Sequence, residues 1–127
     1  MRRVVVDMQN ALFSDAISAA LKGFSSDFHV YQSENPRKTT QLCVYTQADI
    51  LLMEVTVYAP WRLEDRMLLR QEVKAQRSDC KIVLVVDENT DAELADRVRQ
   101  AKKDGVIDQF LYGSVSAAYL SAVIDTL

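Results

Sequence analysis

The chain has 127 residues, and its 18 acidic against 15 basic side chains leave a net charge of -3. This size suits a single domain over residues 1–127, and without a basic surplus we expect no direct nucleic-acid binding by this domain, although a DNA-binding domain could lie outside the chain. No apolar run approaches the ~20 residues of a membrane span or forms a signal-peptide core, so we expect a cytoplasmic protein without membrane contact.

The chain opens with a strand and a helix. A valine-rich strand is predicted at 2–7, and a helix is predicted at 10–24. Residues at helical spacing give this helix its predicted apolar stripe: Leu12, Ala16, Ala19 and Ala20. Gly23 favours the end of the helix, because glycine is the usual residue just past a helix.

A polar strand at 27–32 and a weak helix at 34–47 come next. Pro36 suits the first turn of that helix, whereas its threonine and valine content disfavours helix. The run at 48–55 then predicts a buried strand that ends with an acid, Glu54.

The second half of the chain continues the alternation. A long helix is predicted at 60–78, with an apolar stripe formed by Leu63, Met67 and Val73. Strands are predicted at 81–87 and 106–112, and helices at 89–105 and 116–127. Three residues could cap the helix at 89–105: Asn89, Thr90 and Asp91.

Five strands that alternate with five helices predict a parallel sheet covered on both faces, a three-layer α/β/α sandwich. The flavodoxin-like strand order 2-1-3-4-5 places the ligand crevice between strands one and three, at their carboxyl ends. Those strands close on Asp7 and Glu54. We therefore expect these two carboxylates to face each other across the crevice.

With these elements the chain resembles, over essentially its whole length, the CheY-like receiver domain of two-component response regulators. The pattern is similar to the branch that precedes LuxR-type (NarL-type) helix-turn-helix domains. The resemblance implies an acidic pair after strand one, a phosphoacceptor Asp ending strand three, a hydroxyl residue ending strand four and a Lys-Pro pair ending strand five. In that family the acids hold Mg²⁺, and the acceptor takes a phosphoryl group from a histidine kinase.

The sequence departs from the family at nearly all of these positions. Asp7 matches the first acid of the pair, but Met8 stands at the second. Glu54 stands at the acceptor position and Val86 at the hydroxyl position. At the Lys-Pro position the chain has Gly113 and Ser114. The resemblance therefore supports the scaffold and argues against phosphorylation.

These departures remove the groups that Mg²⁺ binding and phosphoryl transfer need. Mg²⁺ prefers carboxylate and other oxygen ligands, and Met8 offers sulfur instead. Phosphoryl transfer needs cations and hydrogen-bond donors at the moving oxygens, which Gly113 and Val86 do not supply. We expect no metal, no cofactor and no catalytic residue. Cys43 and Cys80 lack metal-binding spacing, so we interpret them as reduced packing residues.

Two interpretations of Glu54 stay open. Its carboxylate could mimic a phosphoryl group, although it carries less negative charge. Alternatively, it is a strand-end acid that is partly solvated or bonded to backbone N–H groups of the following loop. In that loop Tyr58 and Trp61 either anchor a protein partner or fold over the emptied acidic pocket.

The last helix carries one charge, Asp125, and the first helix carries only two. Helices with so few charged residues indicate an exposed apolar patch that could contact a protein partner. The candidate interface residues on the last helix are Tyr119, Leu120, Val123 and Ile124. We expect a homodimer through helices one and five, with contact to a downstream effector domain as the alternative.

The sequence thus predicts a non-enzymatic pseudo-receiver, a phosphorylation-independent signalling and interaction module that could regulate a DNA-binding transcription factor. Two alternatives remain. One is an active receiver with an unusual acceptor. The other is an unrelated binding protein on a flavodoxin-like scaffold, although the chain has no Ser/Thr/Gly-rich loop after strand one to hold FMN.

Overall fold

The structure, a computed structural model, describes residues 1–87, 89 and 91–127. Its strands are β1 (Arg2–Asp7), β2 (Phe28–Ser33), β3 (Ile50–Val55), β4 (Lys81–Val86) and β5 (Gln109–Tyr112). Its α-helices are α1 (Ala11–Phe24), α2 (Thr39–Thr46), α3 (Leu63–Gln76), α4 (Ala92–Lys103) and α5 (Ala117–Asp125).

All neighbouring strands pair in parallel, and the sheet has the order β2-β1-β3-β4-β5. The predicted three-layer fold with order 2-1-3-4-5 is confirmed. Consecutive parallel strands cannot be joined by a tight turn, so each of the four connections between strands crosses over through a helix.

Two apolar layers cover the sheet. One face packs against α2, α3 and α4 through residues such as Leu51, Met53 and Val73. The opposite face packs against α1 and α5 through Leu52 and Ile124 among others. Because side chains alternate along a strand, neighbouring residues of β3 serve opposite layers.

The predicted stripe of α1 is wrong. Leu12 is 79% exposed, and Ala16 and Ala19 are also exposed. The helix instead buries Ser14, Ile17, Ser18 and Leu21. Ile17 and Leu21 bury far more apolar area than alanines can, so they decide which face of the helix meets the sheet.

Several boundaries differ from the sequence prediction. Gly23 lies inside α1, which ends at Phe24. The weak second helix splits into a 3₁₀ turn, Pro36–Lys38, followed by α2. Helix α3 begins at Leu63 rather than at Pro60. Arg62 is its N-cap, and the Asp65 carboxylate accepts a hydrogen bond from the Arg62 N–H at 3.1 Å. The fifth strand is shorter than 106–112.

Asp91 caps α4, because its carboxylate accepts a hydrogen bond from the Leu94 N–H at 2.9 Å. Thr90, another predicted cap, lies outside the described residues. Within the described part of the chain, no helix has the length and apolar character to cross a membrane.

Candidate functional site

The carboxyl ends of β1 and β3 do not bring their two acids together. Asp7 lies in register with Met53, one residue before Glu54. Neighbouring residues in register on parallel strands share a face, so Asp7 lies on the same face as Met53, toward α2 and α3, and Glu54 lies on the other. The prediction that the two carboxylates face each other across the crevice is therefore wrong.

Asp7 is fully buried and paired with an arginine of α3. The Arg66 Nη1 atom donates to Asp7 Oδ2 at 2.8 Å, and Arg66 Nη2 donates to Asp7 Oδ1 at 3.1 Å. Both side chains are about as inaccessible as a core residue, at 1% relative exposure. A guanidinium can bind a carboxylate through two parallel hydrogen bonds. This pairing compensates the negative charge of Asp7, which would be unfavourable if it were buried alone.

Arg66 also reaches the backbone of both strands. Its Nη2 atom donates to the Asp7 carbonyl oxygen at 3.0 Å, and its Nε atom donates to the Glu54 carbonyl oxygen at 2.8 Å. One side chain thus joins α3 to the ends of β1 and β3. Sequence analysis missed Arg66, although it stands three residues after Leu63 on the apolar side of α3, where a basic residue requires a buried partner.

Two hydroxyls complete the surroundings of Asp7. Thr39 donates to Asp7 Oδ2 at 2.7 Å, and the hydroxyls of Ser33 and Thr39 are 2.7 Å apart. Both residues are buried. The Asp7 carboxylate is therefore occupied by protein donors on the α2 and α3 side of the sheet.

Glu54 is bound by backbone amides at the start of α1. Its Oε1 atom accepts a hydrogen bond from the Gln9 N–H at 2.8 Å and another from the Asn10 N–H at 3.3 Å. These donors belong to the loop after β1, whereas the interpretation of Glu54 as a strand-end acid named the loop after β3. Asn10 is the N-cap of α1, so the carboxylate lies at the positive end of that helix.

The other positions of the family motif, Met8, Val86, Gly113 and Ser114, supply no basic side chain. Met8 is buried in the apolar layer under α1 and α5, and Val86 is buried in the opposite layer. Gly113 and Ser114 line a crevice of about 310 Å³ beside Glu54. Among the described residues lining that crevice, Glu54 and Asp87 are carboxylates and none is basic.

Mg²⁺, which the fold family implies, does not fit the residues present. Asp7 is bonded to Arg66 and Thr39 on the far face, and Met8 is a packing residue. Over residues 1–87, 89 and 91–127, no group of three or more His, Cys, Asp or Glu residues is placed to hold a metal ion.

Tyr58 and Trp61, the aromatic residues of the β3–α3 loop, differ in their exposure. Tyr58 is 65% exposed beside a crevice of about 160 Å³ that Glu54 also lines, and Trp61 is partly buried outside it. The loop is held by bonds from the Thr56 N–H to the Trp61 carbonyl (2.9 Å) and from the Trp61 N–H to the Tyr58 carbonyl (2.8 Å). Arg66, rather than these aromatic residues, contacts the Asp7 carboxylate.

Half of the candidate interface on α5 belongs to the core. Leu120 and Ile124 are 3% and 0% exposed and pack in the layer beneath α1 and α5. Their assignment to an interface is therefore wrong. The sequence of α5 has a single charge, which did not show which apolar side of the helix faces the sheet. Tyr119 is exposed, and Val123 is partly buried.

Cys43 and Cys80 are free and buried in the same apolar layer. Burial raises the pKa of the Cys43 thiol to about 12 and that of the Cys80 thiol to about 11. Both thiols are therefore protonated at neutral pH, which disfavours nucleophilic chemistry.

No protein-family model matches the sequence, and no curated protein matches it. The structure is similar to that of a response regulator from Thermotoga maritima, with a TM-score of 0.76 and 15% identity over 99% of this chain and 96% of that one. A LuxR-family DNA-binding response regulator from Staphylococcus aureus gives a TM-score of 0.74 and 12% identity over 99% and 98%. The chain has a receiver fold.

The receiver fold also matches a protein described as one of a family of streptococcal redox sensors that evolved from two-component response regulators. That match has a TM-score of 0.78 and 13% identity, and it covers 99% of this chain and 50% of that one. At such identities the likeness concerns the fold.

Proposed function

We propose that this domain is a pseudo-receiver, a non-enzymatic and phosphorylation-independent signalling module that acts by contacting proteins. The observation that carries the proposal is the state of Glu54. Its carboxylate is bonded to the Gln9 and Asn10 amides, and no basic side chain lines the crevice beside it among the described residues.

The charges around Glu54 explain why we expect no phosphoryl transfer to it. The moving phosphoryl group carries negative charge on three oxygens, and catalysis depends on cations and donors positioned around them. Here the crevice adds a second carboxylate, Asp87, while Val86 has no hydroxyl. A negatively charged phosphodonor would therefore meet two carboxylates and no basic side chain among the described residues that line the crevice.

The contacts of Glu54 favour a structural role over phosphoryl mimicry. Two backbone amides that precede α1 converge on a single oxygen of the carboxylate. A negative charge at a helix N-terminus stabilises the helix through its dipole. We propose that Glu54 anchors the start of α1 to the end of β3.

Incubation of the protein with a small-molecule phosphodonor and Mg²⁺ is expected to leave its intact mass unchanged. The Glu54→Asp variant is also expected to stay unmodified, because restoring the acceptor alone supplies neither the cation nor the hydroxyl. A receiver that has the complete motif, treated identically, serves as the positive control. A gain of one phosphoryl group that maps to Glu54 would contradict the proposal and favour an active receiver with an unusual acceptor.

As partner we propose a second copy of this chain, contacting through the sides of α1 and α5 that the fold leaves uncovered. The support is the exposure of Leu12 and Tyr119, large apolar side chains on two helices that pack against each other. A downstream effector domain, such as the DNA-binding domain of a transcriptional regulator, is the alternative occupant.

A redox role like that named for the streptococcal proteins receives no support from this chain. Its two thiols, on Cys43 and Cys80, are buried and have raised pKa values. We therefore base the proposal on protein contact rather than on thiol chemistry.

A further inference from the structure

Arg66 joins three elements that must move relative to one another if the carboxyl end of the sheet is to rearrange. Its side chain begins on α3, and its donors bind the Asp7 carbonyl at the end of β1 and the Glu54 carbonyl near the end of β3. The Asp7 carboxylate holds the same guanidinium with two further bonds. Four hydrogen bonds from one buried side chain therefore fix the position of α3 on the strand ends.

The connection extends to the neighbouring strand and helix. Asp7 also accepts from Thr39, the first residue of α2, and the Thr39 hydroxyl contacts Ser33 at the end of β2. Ser33, Thr39 and Arg66 are all buried. A displacement of α3 would separate Arg66 from Asp7 and leave both charged side chains buried without their ion-pair partner.

We propose that the Arg66–Asp7 pair is a conformational lock that holds the β3–α3 connection in a single arrangement. Conformational switches need two packings of similar free energy. Here the alternative packing would break a buried, doubly hydrogen-bonded ion pair and leave two strand-end carbonyls without their donor, which makes it unfavourable. The inference deepens the proposed function, because it gives the module one constitutive state, but it rests on contacts that are independent of phosphate chemistry.

Arg66→Lys tests the lock. Lysine keeps the positive charge near Asp7, but its single ammonium cannot bind the carboxylate and both strand carbonyls in the planar arrangement of a guanidinium. Hydrogen exchange of the Thr56 and Trp61 amides reports the opening of the β3–α3 loop, since both amides bond within that loop. We expect their exchange to accelerate by roughly tenfold or more relative to the core amide of Val83.

Arg70→Lys is the matched control. Arg70 lies one turn further along α3, and its Nε donates to the Val106 carbonyl before β5, away from the strand ends. This variant should keep the wild-type exchange rates at Thr56 and Trp61. Faster loop exchange in Arg66→Lys alone supports the lock, whereas equal rates in both variants and the wild type would overturn it.

The double variant Asp7→Val, Arg66→Met keeps the test decisive if Arg66→Lys does not fold. Apolar replacement of both partners removes the lock and leaves no buried charge. We expect faster exchange at Thr56 and Trp61 here as well, and wild-type rates would overturn the inference. Either result is separable from the phosphodonor experiment, because phosphate uptake by the wild-type protein would overturn the proposed function and leave the exchange comparison intact.

Discussion

Replacing Arg66 by methionine is expected to lower the free energy of unfolding by about 3–5 kcal/mol, the range observed when one partner of a buried ion pair is removed. Methionine fills much of the volume of the arginine side chain but cannot hydrogen-bond the Asp7 carboxylate. Asp7 is 0% exposed, so water cannot replace the lost hydrogen bonds. Urea denaturation followed through Trp61, the single tryptophan, measures the change.

Two further variants show whether the loss comes from the unpaired charge. Adding Asp7→Val to Arg66→Met should restore a large part of the stability, because both charges are then gone. Arg62→Met, which breaks an ion pair with Asp65 at the partly exposed start of α3, should change stability by no more than about 1 kcal/mol. An Arg66→Met cost as small as that of Arg62→Met would show that the buried pair contributes little.

The second large effect is expected at Ile124, where replacement by alanine should cost about 2–5 kcal/mol. Ile124 is 0% exposed and packs with Val6 and Leu21 in the layer beneath α1 and α5. Removing its branched side chain leaves a cavity that the surrounding residues fill only in part. Thermal or urea unfolding of the monomeric protein at low concentration measures the loss.

Tyr119→Glu is the control on the same helix. Tyr119 is 57% exposed, so its replacement should change stability by only about 0.5 kcal/mol. In the proposed dimer, however, it introduces a charge at the contact, and sedimentation should show a monomer where the wild type shows a dimer. Wild-type assembly in Tyr119→Glu would remove this face as the site of the second copy.

The fold was predictable because its signals are local. Valine-rich runs between helical patterns predicted parallel strands with helices on both faces, and the flavodoxin-like order 2-1-3-4-5 was expected for such a sheet. Faces were harder to predict. In α1 the alanines suggested a stripe, whereas the larger Ile17 and Leu21 determine the buried side.

The site was less predictable because it depends on register. A shift of one residue moves a side chain to the other face of a sheet, and the strand limits alone could not show that Asp7 pairs with Met53 rather than with Glu54. Arg66 was detectable in principle, since an arginine between Leu63 and Leu69 lies on the buried face of α3. Its partner could be known only once β1 and α3 were placed together.

The central claim is that the strand ends hold protein contacts where a phosphorylated receiver would hold metal and phosphate. Titration of ¹⁵N-labelled protein with Mg²⁺ and beryllofluoride, monitored at the Gln9 and Asn10 amides, tests it most directly, because both amides bond Glu54. We expect neither resonance to move beyond the small changes caused by ionic strength. Saturable, Mg²⁺-dependent shifts of both resonances would contradict it.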